Sequence, residues 1–431
     1  MSTVSAATLD SPQVRDRADV RRQVKLLVVL GILAALLVFF ALSIENSTVQ
    51  YILGDQVSID SPPQPLPAKL VAWTAALVAT IALVLAAGNK VPKDWKGVAL
   101  YLVVGLAFYA GFIVWAYSDQ GSGFQSAIAN PLPGTVRIAT PLALGALAGC
   151  MCERAGVINI AIEAQFLMGA FFAAVAASLA FSAYMGLLGA IVAGVGVSAL
   201  LAVFSLRYLV NQVVLGVVLI ALASGLTSFL LSQIPSDPAI LQYLNEPPRL
   251  GTVPIPLLSG IPVIGEALFD QTVLVYLMYL SVAVVYFVLF QTKWGLRVRA
   301  VGEHPKAADT VGIKVNRVRW QAVLFAGVFA GLGGAYYTVG STGAFDRDLS
   351  AGNGFIALAA VIMGRWHPVG ASIAALFFGF MWNLQSQLSF VDKIPSQLLG
   401  MTPYLATIIA VAGFVGRVRP PAADGEPYVK S

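Results

Sequence analysis

The sequence predicts an all-α polytopic membrane protein, and three observations carry that prediction. Of 431 residues, 58% are hydrophobic and 11% charged, whereas a soluble domain carries about a quarter charged residues. A surface so poor in charge is solvated largely by lipid. The apolar residues gather into runs of about 20, the length at which a helix crosses roughly 30 Å of hydrocarbon. Lys and Arg fall between those runs, concentrated in a few connections, as in chains that obey the positive-inside rule.

Residues 1–24 are polar and of mixed charge, with Arg15, Arg17, Arg21 and Arg22 near their end. They read as a disordered cytoplasmic tail, too long and in part too acidic for a signal-peptide n-region, leading into an uncleaved first helix. Region 25–134 holds three extra spans, at 25–43, 69–88 and 97–117. A Pro-rich loop (Pro62, Pro63, Pro65, Pro67), a basic turn (Lys90, Lys93, Lys96) and a polar, Gly-rich stretch at 118–134 separate or follow them.

Region 135–416 is the main body. Apolar segments at 136–150, 158–182, 184–206 and 211–231 are closely joined. A loop at 232–270 follows, with Asp237, Glu246, Glu266 and Asp270 against one Arg249. A helix at 271–290 enters the most charged loop, 291–319, and further segments lie at 320–342, 354–363, 369–387 and 402–416. Segment 354–363 is too short to cross, and Glu153 with Arg154 interrupts the region 136–182. Broken segments at membrane depth line a cavity or pack within protein, so the expectation is ten to twelve segments, some re-entrant. Residues 417–431 form a basic tail with Arg417 and Arg419.

Orientation follows from the cations. Loop 291–319 holds Lys293, Arg297, Arg299, Lys306, Lys314, Arg317 and Arg319, which makes it cytoplasmic, together with both termini. Loops 44–68 and 232–270 then face outside.

Several function classes are excluded. The net charge of +5 comes without basic patches interleaved with aromatics, so nucleic acid is not a partner. Cys150 and Cys152, two apart, point to different helix faces and read as small packing residues. The sequence has no G-x-x-x-x-G-K-[ST] loop, no H-E-x-x-H, no G-x-S-x-G and only two histidines, His304 and His367. With no nucleophile, base or metal set in view, the chain is expected to be no enzyme and to bind no metal or cofactor.

Within 299–315, His304 precedes Pro305, and the residue before proline is pushed out of the α region, while proline suits a first helical turn. Residues 305–311 therefore read as a short helix stopped by Gly312, with Ala307 and Ala308 on one face. Docking into a partner's groove and an ordinary basic loop both fit this pattern.

This loop resembles the coupling segment of ABC permeases of the branched-chain amino acid, ribose and nucleoside class, which show Gly-x-Asn-Pro-x-Ala-Ala-x-x-x-Gly-Ile. The match falls on Gly302, Pro305, Ala307, Ala308, Gly312 and Ile313, with His304 in place of the usual Asn. Residues 140–149, 153–163 and 352–370 resemble further signatures of the simple-sugar and nucleoside branch, so that the resemblance spans roughly 135–416. It implies a bacterial inner-membrane importer subunit in which Gly302, Glu303, His304, Pro305, Ala307, Ala308, Gly312 and Ile313 couple to an ATP-binding subunit. It also implies a second permease subunit, expected as a paralogous heterodimer, and an external substrate-binding lipoprotein. ATP would be used by the partner, and the substrate would be a nucleoside or simple sugar. The alternative is an ion-coupled secondary transporter with Glu163 as its ion site.

Asn159 and Glu163 lie four apart on one helix face. They line a translocation path or make a structural hydrogen bond to a neighbouring helix; Asn353 is a further path candidate. Asn211 and Gln212 read as a cap or interfacial anchor, and Asn383, Gln385 and Gln387 lie near an outer helix end. Gly145 with Gly149 and Gly327 with Gly331 are G-x-x-x-G pairs for helix packing, within the chain or between subunits. Segments 156–169 and 352–364 are similar enough to mark an internal repeat, or to match by chance.

Overall fold

The computed structural model describes residues 17–45, 48–54, 63–92, 94–118, 127–235, 237–389, 391, 393, 395–413 and 419–429. Residues 1–16 of the expected tail lie outside them. Among the described residues, ten helices are long and apolar enough to cross a membrane. The chain forms two compact units, 1–129 with 390–394, and 130–389 with 395–431.

The first unit holds α1 (Arg17–Ser43), α2 (Ala68–Ala87) and α3 (Trp95–Tyr117). Helix α1 begins eight residues ahead of the apolar run because Ala, Arg and Gln are good helix formers. Helix α2 buries a seam of alanines, Ala68, Ala72, Ala75, Ala79, Ala82 and Ala86, against which α1 and α3 approach closely. Phe40 stacks on Trp115 at 4.6 Å. The Pro-rich connection is partly extended: β1 (Thr48–Tyr51) pairs antiparallel with β2 (Gln64–Pro67) and parallel with β3 (Ala127–Ile128).

The second unit opens with α4 (Pro131–Glu153), where Asn130 caps by accepting from Leu132 N and proline takes the first turn. Next come α5 (Ile162–Ala180), α6 (Ala183–Ala202, prolonged by a π-helical turn to Arg207) and α7 (Gln212–Ser232). The expected outer loop carries α8 (Pro238–Leu244), β4 (Thr252–Pro254), α9 (Ile264–Phe269) and β5 (Asp270–Thr272) before α10 (Val273–Gln291). Helices α11 (Lys293–Glu303), α12 (Pro305–Thr310), α13 (Val315–Tyr337), α14 (Asn353–Met363), α15 (Pro368–Leu388) and α16 (Ser396–Gly413) complete it. Helices α4, α5 and α13 are buried along most of their length and form the centre, while α7 and α10 turn apolar side chains such as Val214, Val217, Leu280 and Phe287 outward. That division is the one expected of lipid-solvated helices around a packed core.

The charged stretch 291–319 is helical rather than a loop. Thr292 caps α11 by accepting from Gly295 N at 3.0 Å. Gly295, Val298, Val301 and Gly302 are buried on one face, so the charges that suggested a loop occupy the other. Segments 156–169 and 352–364 begin alike, with Gly156 and Gly352 at φ +83° and +81°. They then diverge, because 157–161 stays non-helical whereas α14 starts at Asn353.

Candidate functional site

Helix α14 has 11 residues, about 16 Å at 1.5 Å per residue, half of what a crossing requires. Its two ends are held from the α4–α5 corner. At the start, both Glu163 oxygens are engaged: Oε1 accepts from Ser350 Oγ (2.5 Å) and Gly352 N (2.9 Å), and Oε2 accepts from Gly354 N (2.6 Å). A Cβ at Gly354 would lie 2.6 Å from Glu163 Cα, so glycine is required for the carboxylate to reach these N–H groups. At the far end, Trp366 Nε1 donates to Glu153 Oε2. Arg154 Nε donates to the Trp366 carbonyl (2.9 Å) and its Nη2 to the Arg365 carbonyl (3.3 Å). Arg365 and Trp366 both have left-handed φ, +55° and +54°. That conformation costs about 1–2 kcal/mol per residue, and these hydrogen bonds offset it.

Asn159 is fully buried. Its Nδ2 donates to Gln165 Oε1 (3.2 Å), and Gln165 Nε2 donates to Ser198 Oγ (2.8 Å), a polar chain from the α4–α5 turn to α6. Asn353, half-buried, is the first residue of α14, beside the N–H groups that Glu163 receives. In this conformation Glu163 makes a bond between elements, with 5% of its surface exposed. Asn211 caps α7, accepting from Val213 N and Val214 N. Gln212 is buried and accepts from Ile158 N at 2.7 Å. Asn383 is also buried and donates to the Pro131 carbonyl.

Residues 302–313 form a second constellation. Gly302 is packed so closely that a Cβ there would collide with the Arg154 carbonyl. Glu303 ends α11, and His304 breaks the helix at φ −142°, ψ 79°. Pro305 opens α12, and the His304 side chain makes no capping bond. Gly312 ends the turn at φ +85° with open space around it. Ile313 packs on the core. The two alanines part company: Ala307 is exposed, whereas Ala308 is 4% exposed and belongs to the chain's own core. The expectation that both present one face to a partner is corrected accordingly. The exposed face is Lys306, Ala307, Thr310 and Val311, with Val311 75% exposed.

The glycine pairs lie at helix crossings inside the chain. A Cβ on Gly145 would lie 2.6 Å from the Phe166 ring and 2.9 Å from Ala357, and one on Gly149 would lie 2.6 Å from Val361. A Cβ on Gly327 would lie 2.7 Å from the Gly194 carbonyl, and Gly331 packs against Ala190. Both cysteines are free and buried.

The family described as "Branched-chain amino acid transport system / permease component" matches residues 132–415. The chain belongs to this family. Its members are transport components of multi-pass type in the bacterial inner membrane, and act with ATP-binding and substrate-binding components. The permease is 40% identical over 310 residues to the guanosine ABC transporter permease protein NupQ of Bacillus subtilis strain 168, covering 69% of this chain and 96% of that one. It is 40% identical over 304 residues (68% and 94%) to the nucleoside ABC transporter permease protein NupC of Lactococcus lactis subsp. cremoris strain MG1363. It is 24% identical over 345 residues (75% and 96%) to a second guanosine ABC transporter permease protein of B. subtilis, NupP. No solved structure matches the chain.

Sequence reasoning saw Glu153 and Arg154 only as an interruption and missed their hold on Trp366. The available signal was the cost of burying ionisable groups in an apolar chain, which demands a partner. Arg319 reads in the sequence as one more loop cation, yet it is fully buried.

Proposed function

We propose that this permease imports a nucleoside, with ATP bound and hydrolysed only by its partner and no cofactor bound by the chain itself. The carrying observation is the coupling segment: α12 is a separate short helix between α11 and α13, and Gly302, at the end of α11, seats the segment directly on the α4–α5 turn. A displacement of 302–313 therefore pushes on the turn that carries Asn159 and leads into Glu163. In this reading Asn159, Glu163 and Asn353 border the path, Glu163 by holding the 350–354 loop rather than by touching solute. Loop 291–319 and both termini are cytoplasmic, following the cations.

NupQ, similar over nearly its whole length, supports a nucleoside over a sugar. The chain resembles two B. subtilis permeases of the same named substrate to different degrees, which supports a paralogous second permease subunit. A substrate-binding lipoprotein delivers the solute from outside.

Uptake of labelled guanosine, ribose and glucose in a deletion strain, with and without the restored gene, tests the substrate. Guanosine uptake should return with the gene. Return of sugar uptake alone would move the assignment to a sugar. Val311→Asp, which puts a charge on the exposed face of α12, should abolish ATP-driven uptake while the protein still inserts. Undiminished uptake by that variant would favour an ion-coupled carrier.

A further inference from the structure

Residues 419–429 lie beyond the stretch matched to the family, yet they are built into its coupling region. Pro420 and Pro421 open the segment and favour extended backbone. Ala422 N donates to Glu303 Oε2 (3.2 Å), and Ala423 N donates to the Gly302 carbonyl (2.9 Å). Arg319 Nη1, from α13, donates to the Glu426 carbonyl (2.8 Å). Gly425, at φ +78°, lies where a Cβ would stand 2.7 Å from Ile158. Tyr428 is buried in the same apolar core as Ala308, with its hydroxyl near the Asp309 carboxylate.

The segment thus touches the coupling region on both sides of His304, at 302–303 and at 308–309, and also the α4–α5 turn and α13. This arrangement answers a mechanical difficulty. Helix α12 has six residues, too few to be stable alone, and His304 interrupts the helical path between it and α11. A load applied to α12 would be absorbed by bending at His304 unless something spans the break. The strap formed by 419–429 meets Gly302, Asp309 and Ile158 together.

We propose that residues 419–429 are a positioning strap for energy coupling, making the coupling segment and the α4–α5 turn move as one body. The proposal rests on the reading of 302–313 as the coupling segment. Tyr428 and Gly425 are positioning residues, acting through α12 and Ile158.

The test uses the assembled transporter in proteoliposomes, with three variants: removal of the chain after residue 418, Gly425→Val and Tyr428→Ala, the last beside Tyr428→Phe. For each, ATP-binding subunit retained on purification, ATP hydrolysis and guanosine uptake are measured. The variants should retain the subunit and hydrolyse ATP, while uptake per ATP falls about tenfold, within the usual range of coupling between sites. Tyr428→Phe, which keeps the ring in the core and removes the hydroxyl beside Asp309, should fall between wild type and Tyr428→Ala in uptake per ATP. Should the truncation fail to fold, the point variants decide. Wild-type uptake per ATP in Gly425→Val and Tyr428→Ala would overturn the strap. So would loss of the ATP-binding subunit in those variants, since the segment would then be a docking element. A wild-type protein without ATP-dependent uptake would overturn the coupling reading beneath it, and that result appears in the control.

Discussion

A carboxylate that accepts three hydrogen bonds in a buried position cannot be exchanged for an amide without leaving a donor unmet. Glu163 receives Ser350 Oγ, Gly352 N and Gly354 N. In Glu163→Gln one of its two acceptor atoms becomes an NH2 group facing a donor. An unpaired buried N–H costs about 1–3 kcal/mol, so the variant should unfold at lower temperature in detergent and transport more slowly. Equal thermal stability would show that the bracket around α14 contributes nothing. Asp424 offers a pH-dependent counterpart outside the spans. Burial pushes its carboxyl above the ordinary range, while Arg319 and the Gly425 N–H act in the opposite direction. A carboxyl whose folded-state pKa is raised favours the seated strap when protonated, and that contribution is lost as pH rises through the raised value. Asp424→Asn should therefore flatten the fall in strap seating between the ordinary carboxylate range and about pH 7, read as protection of 419–429 from protease. An unchanged pH profile would remove Asp424 from the account. At this scale the sequence announced Glu163, because an acid in an apolar run is conspicuous. It could not announce Asp424, which sits among prolines and alanines in what reads as an ordinary polar tail.

Helix positions were legible wherever composition alone decides them. The run 69–88 became α2 at Ala68–Ala87, and 369–387 became α15 at Pro368–Leu388, because a 20-residue apolar run has few alternatives to a spanning helix. The stretch 291–319 misled because charge was read as irregularity, when its buried residues recur with helical spacing. The same spacing separates Ala307 from Ala308, neighbours on α12 that face opposite environments. Ala308→Trp should overfill the core, costing about 1–3 kcal/mol, and should lower stability together with transport. Ala307→Trp should leave thermal stability unchanged and weaken only the association with the ATP-binding subunit. Equal effects of the two on stability would contradict the burial assigned to them. Helices α6 and α13 give a parallel case. Gly331 packs on Ala190 and faces Gly194, so Gly331→Leu should force the helices apart and lower the yield of folded protein, whereas a leucine at Gly196, with open space around it, should not.

Across the whole molecule, the family match begins at residue 132, and the compact units divide between 129 and 130. The three helices before that point have their own aromatic packing and a small sheet, and nothing in the family match assigns them a task. What the sequence could not foresee is the closing of contacts between distant residues, such as Ala423 on Gly302 and Trp366 on Glu153. Hydropathy reports which segments leave water, but not which of them meet. Orientation, by contrast, rests on charge alone and can be tested without any contact being assumed. Stretch 291–319 carries seven Lys and Arg, and 232–270 carries one; cations near span ends are retained in the cytoplasm. Lys306 and Glu246 are both exposed, while Cys150 and Cys152 are fully buried and shielded from an aqueous thiol reagent. Lys306→Cys and Glu246→Cys therefore report their own surroundings. A membrane-impermeant maleimide added to intact cells should label the variant at 246 and spare that at 306, and permeabilisation should bring the second up to the first. Labelling at 306 in intact cells would invert the whole arrangement, placing α12 and the strap outside, where no ATP-binding subunit could reach them.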